Sequence, residues 1–405
     1  MDYSDNTFVW SDNWWIEDNK AWFVDGMQNI LFCLDLDTHI CEMAIRIPDE
    51  SLEKFRLTPI CVKCGSDILC IPAKGKSIWV FNLDTCNFTE IGIDGLDNFQ
   101  WAFDFWLYKD KVFANARLTN KILEINVRQR KIEKYHIICE NDLIAASVRV
   151  DDSIYSVSEQ SGKVYRFDLS TYGVEIYLIS GIEKKLASIC FDGKQFWLSG
   201  YCKEIYKWNK EENCITKLDE LPKNFGVYNF RGNSDDVVDY ETVEYEYPAF
   251  LNLIAVGEYV WCIPFETNRI IYVDKHTNEI NVLEIDDGIE TKERILAIYH
   301  HCPGHKYLLE YVQDNCYLGV FSLEHNRILE INAKDLTYKW QEYYIGDKCM
   351  RQCAEIKMNT FYENSLLDRK AYKTVLHTNK HNQRDEHEGC FGAEIYKNIS
   401  MSISE

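Results

Sequence analysis

The sequence predicts an all-β protein: a seven-bladed β-propeller of four-stranded blades, followed by a partly helical C-terminal tail. Three observations predict it. A short apolar strand ending in Asp or Asn recurs seven times along 405 residues, the composition is 46% hydrophobic and 14% aromatic, and the chain holds only seven prolines. Such a composition must fold around sizeable cores. Four strands in a repeat of about 43 residues match a propeller blade, whereas helical repeats of similar length would show 3.6-residue periodicity. Central strands exclude proline.

The recurring runs are 31–35 (LFCLD), 78–82 (IWVFN), 122–126 (ILEIN), 164–168 (VYRFD), 205–209 (IYKWN), 270–274 (IIYVD) and 328–332 (ILEIN). Their terminal Asp or Asn residues are spaced by 47, 44, 42, 41, 65 and 58 positions, one period with two insertions. Six residues before these anchors stand Asn29, Lys76, Asn120, Gly162, Lys203, Asn268 and Asn326. Asn and Gly tolerate the left-handed backbone of tight turns, so a hairpin turn is expected there. Thirteen residues before the first six anchors come Trp22, Leu69, Phe113, Tyr155, Phe196 and Trp261, each inside an apolar run that reads as a strand; in the seventh unit the run is expected to be offset. A further apolar run precedes each pair, as at 58–64, 145–150, 186–190 and 249–256, and is read as an outer strand.

The propeller is expected to span 8–343, with an insertion at 224–247 between blades five and six, and the appendage 344–405. The insertion interleaves Asp235, Asp236, Asp239, Glu241, Glu244 and Glu246 with tyrosines. In the tail, 361–376 and 390–399 have roughly helical spacing and are separated by a polar stretch.

The 65 acidic residues exceed the 44 basic ones, for a net charge of −21. That excess opposes binding to nucleic acid, which needs clustered Lys and Arg, and opposes docking on an anionic membrane. A partner with a basic surface is expected instead. With no secretory signal or 18-residue apolar span in the sequence, a cytoplasmic location is expected, and with it 16 reduced cysteines that pack as small hydrophobes.

Blade six carries VWCIPFETNRI at 260–270 and DKHTNEI at 274–280. These segments resemble the repeats of streptogramin (virginiamycin B) lyase-like propellers, and the resemblance extends over roughly 8–343. The likeness to Kelch propellers is one of fold only, since the double-glycine Kelch signature is absent, as is the WD40 signature. The lyase resemblance implies a seven-bladed ring, and in those enzymes a catalytic His works with a divalent metal at the channel mouth. None of His276, His300, His301 or His305 occupies a recognisable pattern of that family.

Cys61 and Cys64 form a CxxC inside an expected strand, where positions three apart point to opposite faces, so packing is favoured over metal binding. Cys349 and Cys353 would share a helix face. His300, His301 and His305 are the densest imidazole cluster and the candidates for acid/base or metal chemistry. No phosphate loop, Ser-His-Asp arrangement or carboxylate pair can be assigned. Ligand surfaces of propellers lie where the loops between second and third strands meet the channel. Those loops hold Asp25, Lys74, Arg117, Glu159, Tyr201, Glu266 and Glu324, and Trp101, Asp104, Arg149, Asn252 and Arg294 could add to them. The favoured expectation is a binding or scaffold module that recognises a protein or peptide through this loop face, with no enzyme activity and no cofactor. The alternative is a lyase- or hydrolase-like enzyme, with or without a metal, acting on a small molecule or carbohydrate at the channel mouth.

Overall fold

The computed structural model describes residues 11–364, apart from 12, 27–28, 49–56, 59, 74, 94–101, 117–118, 183–184, 201, 219–220, 222–225, 229–236, 240–249, 265–269, 284, 286–306, 314–315 and 323–326. Seven antiparallel sheets of sequential strands form the blades, at 14–46, 60–92, 102–137, 144–178, 186–217, 250–283 and 307–341. The ring predicted from the repeat is therefore present.

Its innermost strand is the leading one of each blade. Trp14–Glu17, Ile60–Cys64, Ala102–Tyr108, Ile144–Val150 and Leu186–Phe191 each neighbour the leading strand of the next blade, and Tyr307–Gln313 neighbours Trp14–Glu17. This corrects the expectation that the leading strand is outer. The fourth strand is the rim, and its residues are the most exposed in the blade, as in Val174–Leu178 and Cys214–Lys217.

Each repeat anchor closes the turn between third and fourth strands. The Oδ1 atoms of Asp35, Asn82, Asn126, Asp168, Asn209, Asp274 and Asn332 accept backbone N–H groups two or three residues on, at 2.8–3.3 Å. Only a short side chain with an oxygen at that distance can do so, which is why the position is always Asp or Asn. The fourth residue after each anchor, namely His39, Cys86, Arg130, Tyr172, Asn213, Asn278 and Leu336, is left-handed, with φ of 46° to 64°. The left-handed residues expected six positions before the anchors are not found there as a set. Among the described residues of that set only Asn29 has positive φ (55°).

The aromatic residues ahead of the anchors are buried, and they knit adjacent blades. Seven apolar clusters correspond to the seven blade junctions. Trp22 packs with Trp79 and Phe81 of blade two, Phe113 with Phe167 of blade four, Tyr155 with Phe196 and Trp208 of blade five, and Trp261 with Leu318 and Val320 of blade seven. Phe23 and Phe32 of blade one meet Ile328 of blade seven and so close the ring. Burying side chains of this size contributes about 1.5–3 kcal/mol each. Blade seven keeps the common register, Gly319 facing Glu330 as Trp22 faces Cys33. Blade five is the shifted one, because Trp197, not Phe196, faces the residue two before the anchor.

Beyond blade seven, Tyr344–Ile345 adds in parallel to Ile40–Arg46, the rim strand of blade one, making that sheet five-stranded. Helix α1, Asp347–Asn364, follows and lies against the same strand. Cys349 and Cys353 pack with Cys41, and Gln352 Oε1 accepts the Ala44 N–H at 3.0 Å. The helix begins 14 residues before the stretch expected to be helical, and 365–376 lies outside the described residues. Of the insertion at 224–247, the described part is a hairpin of Gly226–Tyr228 and Val237–Asp239.

Candidate functional site

The second strand of each blade ends, and the leading strand begins, at the same end of the ring. At that end two blade junctions carry small polar side chains among otherwise apolar strands. In the junction of blades three and four, Asn115 Nδ2 donates to Ser147 Oγ at 3.1 Å, and Ser147 Oγ donates to Ser156 Oγ at 2.8 Å. Asp104 faces Asn115 across the sheet. In the junction of blades five and six, Ser188 Oγ donates to Asn252 Oδ1 at 3.0 Å and accepts the Leu253 N–H at 2.8 Å, while Ser199 stands opposite Ser188. Asn115 and Ser199 are 1% and 0% exposed, yet Asn115 Oδ1 and Ser199 Oγ have no hydrogen-bond partner among the described residues. An unpaired buried polar atom costs about 1–3 kcal/mol, so these are sites where a ligand group or water has something to gain.

The loop between second and third strands of blade four is held from below by Asp142. Its Oδ1 accepts Ser158 Oγ at 2.6 Å and the Leu143 N–H at 2.8 Å, and its Oδ2 accepts Ser161 Oγ at 2.9 Å and the Tyr165 hydroxyl at 2.8 Å. Burial works against the Asp142 charge, but these donors outweigh it and hold the carboxyl below the usual range. Ser158 Oγ in turn accepts the N–H groups of Gln160 and Ser161. The loop that presents Glu159 is thus preorganised, with the Glu159 N–H on Leu143 O at 2.8 Å.

Of the site residues expected from sequence, Glu159, Asp104 and Asn252 lie at this end. Asp25 is at this end too but fully buried. Arg149 is not brought to them: it pairs with Ile154 near the far end of its strand, whereas Ile144, at the near end, pairs with Ser158. About 3.3 Å per residue separates the two ends by roughly 17 Å. The Arg149 Nε–H donates to Asp151 O at 2.7 Å, its Nη1 donates to Leu107 O of blade three, and the guanidinium stacks over Tyr108. It joins two blades. Lys74, Trp101, Arg117, Tyr201, Glu266, Arg294, Glu324, His300, His301 and His305 lie outside the described residues.

Cys61 and Cys64 share the strand Ile60–Cys64, and the Cys61 thiol donates to Trp22 O at 2.9 Å. Burial pushes both thiols up, away from the thiolate that metal binding requires. Among the described residues no group of three or more His, Cys, Asp or Glu is arranged to hold a metal, and no helix is long and apolar enough to cross a membrane.

Neither a protein-family model nor a curated protein sequence matches the chain. Solved structures do. A streptogramin B lyase superposes with a TM-score of 0.55 at 10% identity, over 84% of this chain and 95% of that one. A catalytically inactive virginiamycin B lyase from Staphylococcus aureus, with quinupristin, gives 0.55 at 12%, over 81% and 96%. PorZ, a surface component of the type-IX secretion system of Porphyromonas gingivalis, gives 0.54 at 8%, over 84% of this chain but 39% of that one. At such identities the likeness is one of fold, and it is the fold that the repeat predicted.

Proposed function

We propose that the protein is a binding module that recognises a protein or peptide partner at the end of the ring where the loops between second and third strands gather. One observation carries this reading: buried, unpartnered oxygens of Asn115 and Ser199 sit at two blade junctions of that end. A folded chain gains nothing from them. Separate N–H groups of an incoming chain can donate to the two oxygens, and the preorganised blade-four loop presents Glu159 at the same end of the ring, where it complements a basic partner. The acidic insertion at 235–246 supports the same choice of partner charge, since it holds six carboxylates.

The test is quantitative capture of partners from the native extract on the immobilised full chain. Ser199→Ala is expected to leave thermal stability unchanged or higher, Asn115→Leu, which also gives up the bond to Ser147, to cost about 1 kcal/mol, and each to cut partner recovery at least tenfold, as is the triple variant Arg117→Glu, Glu159→Arg, Glu266→Arg. Equal recovery on all of these chains defeats the proposal.

A further inference from the structure

The rim of blade four differs from the other described rims. Exposed positions on the fourth strands of blades two, three, five and seven are mainly polar or charged, such as Asn87 and Glu90, Lys131, Glu133 and Lys134, Thr216 and Lys217, Thr337 and Lys339, and where a large apolar residue is exposed on another rim it stands singly, as Ile137 on blade three and Ile40 on blade one do. Such residues guard an edge strand against pairing. On blade four the strand Val174–Leu178 instead exposes Val174, Ile176 and Leu178 to 39%, 59% and 64%, all three on one face. Nothing among the described residues pairs with its outer side. The Asn213 side chain takes the Leu178 carbonyl, and no other described residue bonds to that edge.

The opposite face is spoken for. Tyr177 packs edge-on against Trp208 of blade five, and Glu175 is ion-paired with Arg166 at 2.9 Å. The strand is therefore rigidly presented, with its apolar row outward, over about 17 Å.

The same chain shows what such an edge accepts. On the corresponding strand of blade one, Ile40–Arg46, the segment Tyr344–Ile345 is added as a fifth strand, with the Tyr344 N–H on His39 O and the Gly346 N–H on Cys41 O at 2.8 and 3.0 Å. We infer that the blade-four rim is a strand-addition site for an extended segment of a partner protein, one that alternates apolar and basic side chains. The apolar residues cover Val174, Ile176 and Leu178, the backbone completes the ladder, and the basic residues answer the net charge of −21. That charge also disfavours a second copy of this chain, which would bring another −21 to the same edge. This site is on the rim and is independent of the loop-bearing end proposed above.

The probe is a synthetic nonapeptide of alternating lysine and isoleucine or valine, with a counterpart carrying glutamate for lysine, titrated onto the full chain. Binding by anisotropy is paired with hydrogen exchange on 174–178. The lysine peptide is expected to bind saturably and to slow exchange of those amides, the glutamate peptide to bind at least tenfold more weakly, and the double variant Ile176→Lys, Leu178→Lys to lose at least tenfold while keeping the wild-type Tm. Ile176→Val, Leu178→Val, which keeps the apolar row, retains binding. Four results overturn the inference: binding that the lysine substitutions leave unchanged; no binding at all; a concentration-dependent dimer that those substitutions dissolve, which assigns the edge to a second copy; and amides already protected in the full chain but released by truncation after Asn364, which assigns it to the chain's own C-terminal segment.

Discussion

At the scale of single residues, the repeat is a device for closing a turn. Asp168 shows its electrostatics most clearly. Its carboxylate accepts the side chain and N–H of Ser170 and of Thr171, and these bonds hold it well below the usual range. A carboxyl depressed in the folded state adds stability above its unfolded pKa, about 3.9, and that stability is lost as pH falls through the folded value. Asp168→Asn keeps an acceptor without the charge, so its Tm is expected to trail the wild type at pH 7, and the gap to begin to close only below about pH 4 and to go on closing as pH falls further. The left-handed position four residues on makes a second prediction. Cys86 has φ of 55° and is exposed. Cys86→Gly removes a strain of roughly 1–2 kcal/mol, offset by about 0.5–1 kcal/mol of added chain entropy, and is expected to be neutral to mildly stabilising in urea titration. Cys86→Val, β-branched at that φ, is expected to destabilise by about 1–2 kcal/mol. Thiol chemistry divides in the same way. Burial pushes Cys33 up to about 12 and Cys139 up to about 11, whereas Cys86, Cys214 and Cys316 are exposed. Native alkylation followed by peptide mass mapping is expected to label those three and to spare Cys33, Cys41, Cys61, Cys190 and Cys262.

At the scale of elements, the strand and helix after blade seven act as a clasp. Gly346 is required where they turn, because a Cβ there would stand 2.9 Å from Ile40 Cγ2 and 3.1 Å from Cys41 O. Gly346→Val is expected to lift Tyr344–Ile345 off the sheet and to speed exchange of the blade-one rim, with little change in blades three to five. Gln352→Ala leaves the Ala44 N–H without its acceptor and is expected to cost about 1–2 kcal/mol. None of this docking was legible in the sequence, since the parallel pairing of Tyr344 with Ile40 links positions about 300 apart with no motif to mark them. The blades were legible because each is local: anchor, turn and flanking strands lie within one repeat. Which strand is inner was not, because a central leading strand and a paired outer one both read as short apolar runs. The polar junctions had left a trace, serine or asparagine within apolar second strands, as in YSVS at 155–158 and FANA at 113–116. Their meaning depends on what the neighbouring blade sets against them, and no single repeat contains that.

At the scale of the whole molecule, the cores belong to junctions and not to blades, and this fixes how the ring should fail. A blade removed from its neighbours loses both walls of its apolar surface, so no blade has a core of its own to unfold around. Phe32, 1% exposed, lies in the junction where blade one meets Ile328 of blade seven and helix α1. Phe32→Ala leaves a cavity there and is expected to cost about 3–5 kcal/mol. Trp261→Ala, in the junction of blades six and seven, is expected to cost a similar amount. If the ring is one cooperative unit, each variant shows a single calorimetric transition displaced downward, and the fluorescence of Trp208, in the junction of blades four and five, changes at the same temperature. A junction that opened alone would instead give an early transition to which blade five is blind. The closed circle of seven clusters argues for the first outcome, because opening the contact between blades one and seven exposes an apolar wall on each, and those walls are continuous through the blades with the next junctions on either side.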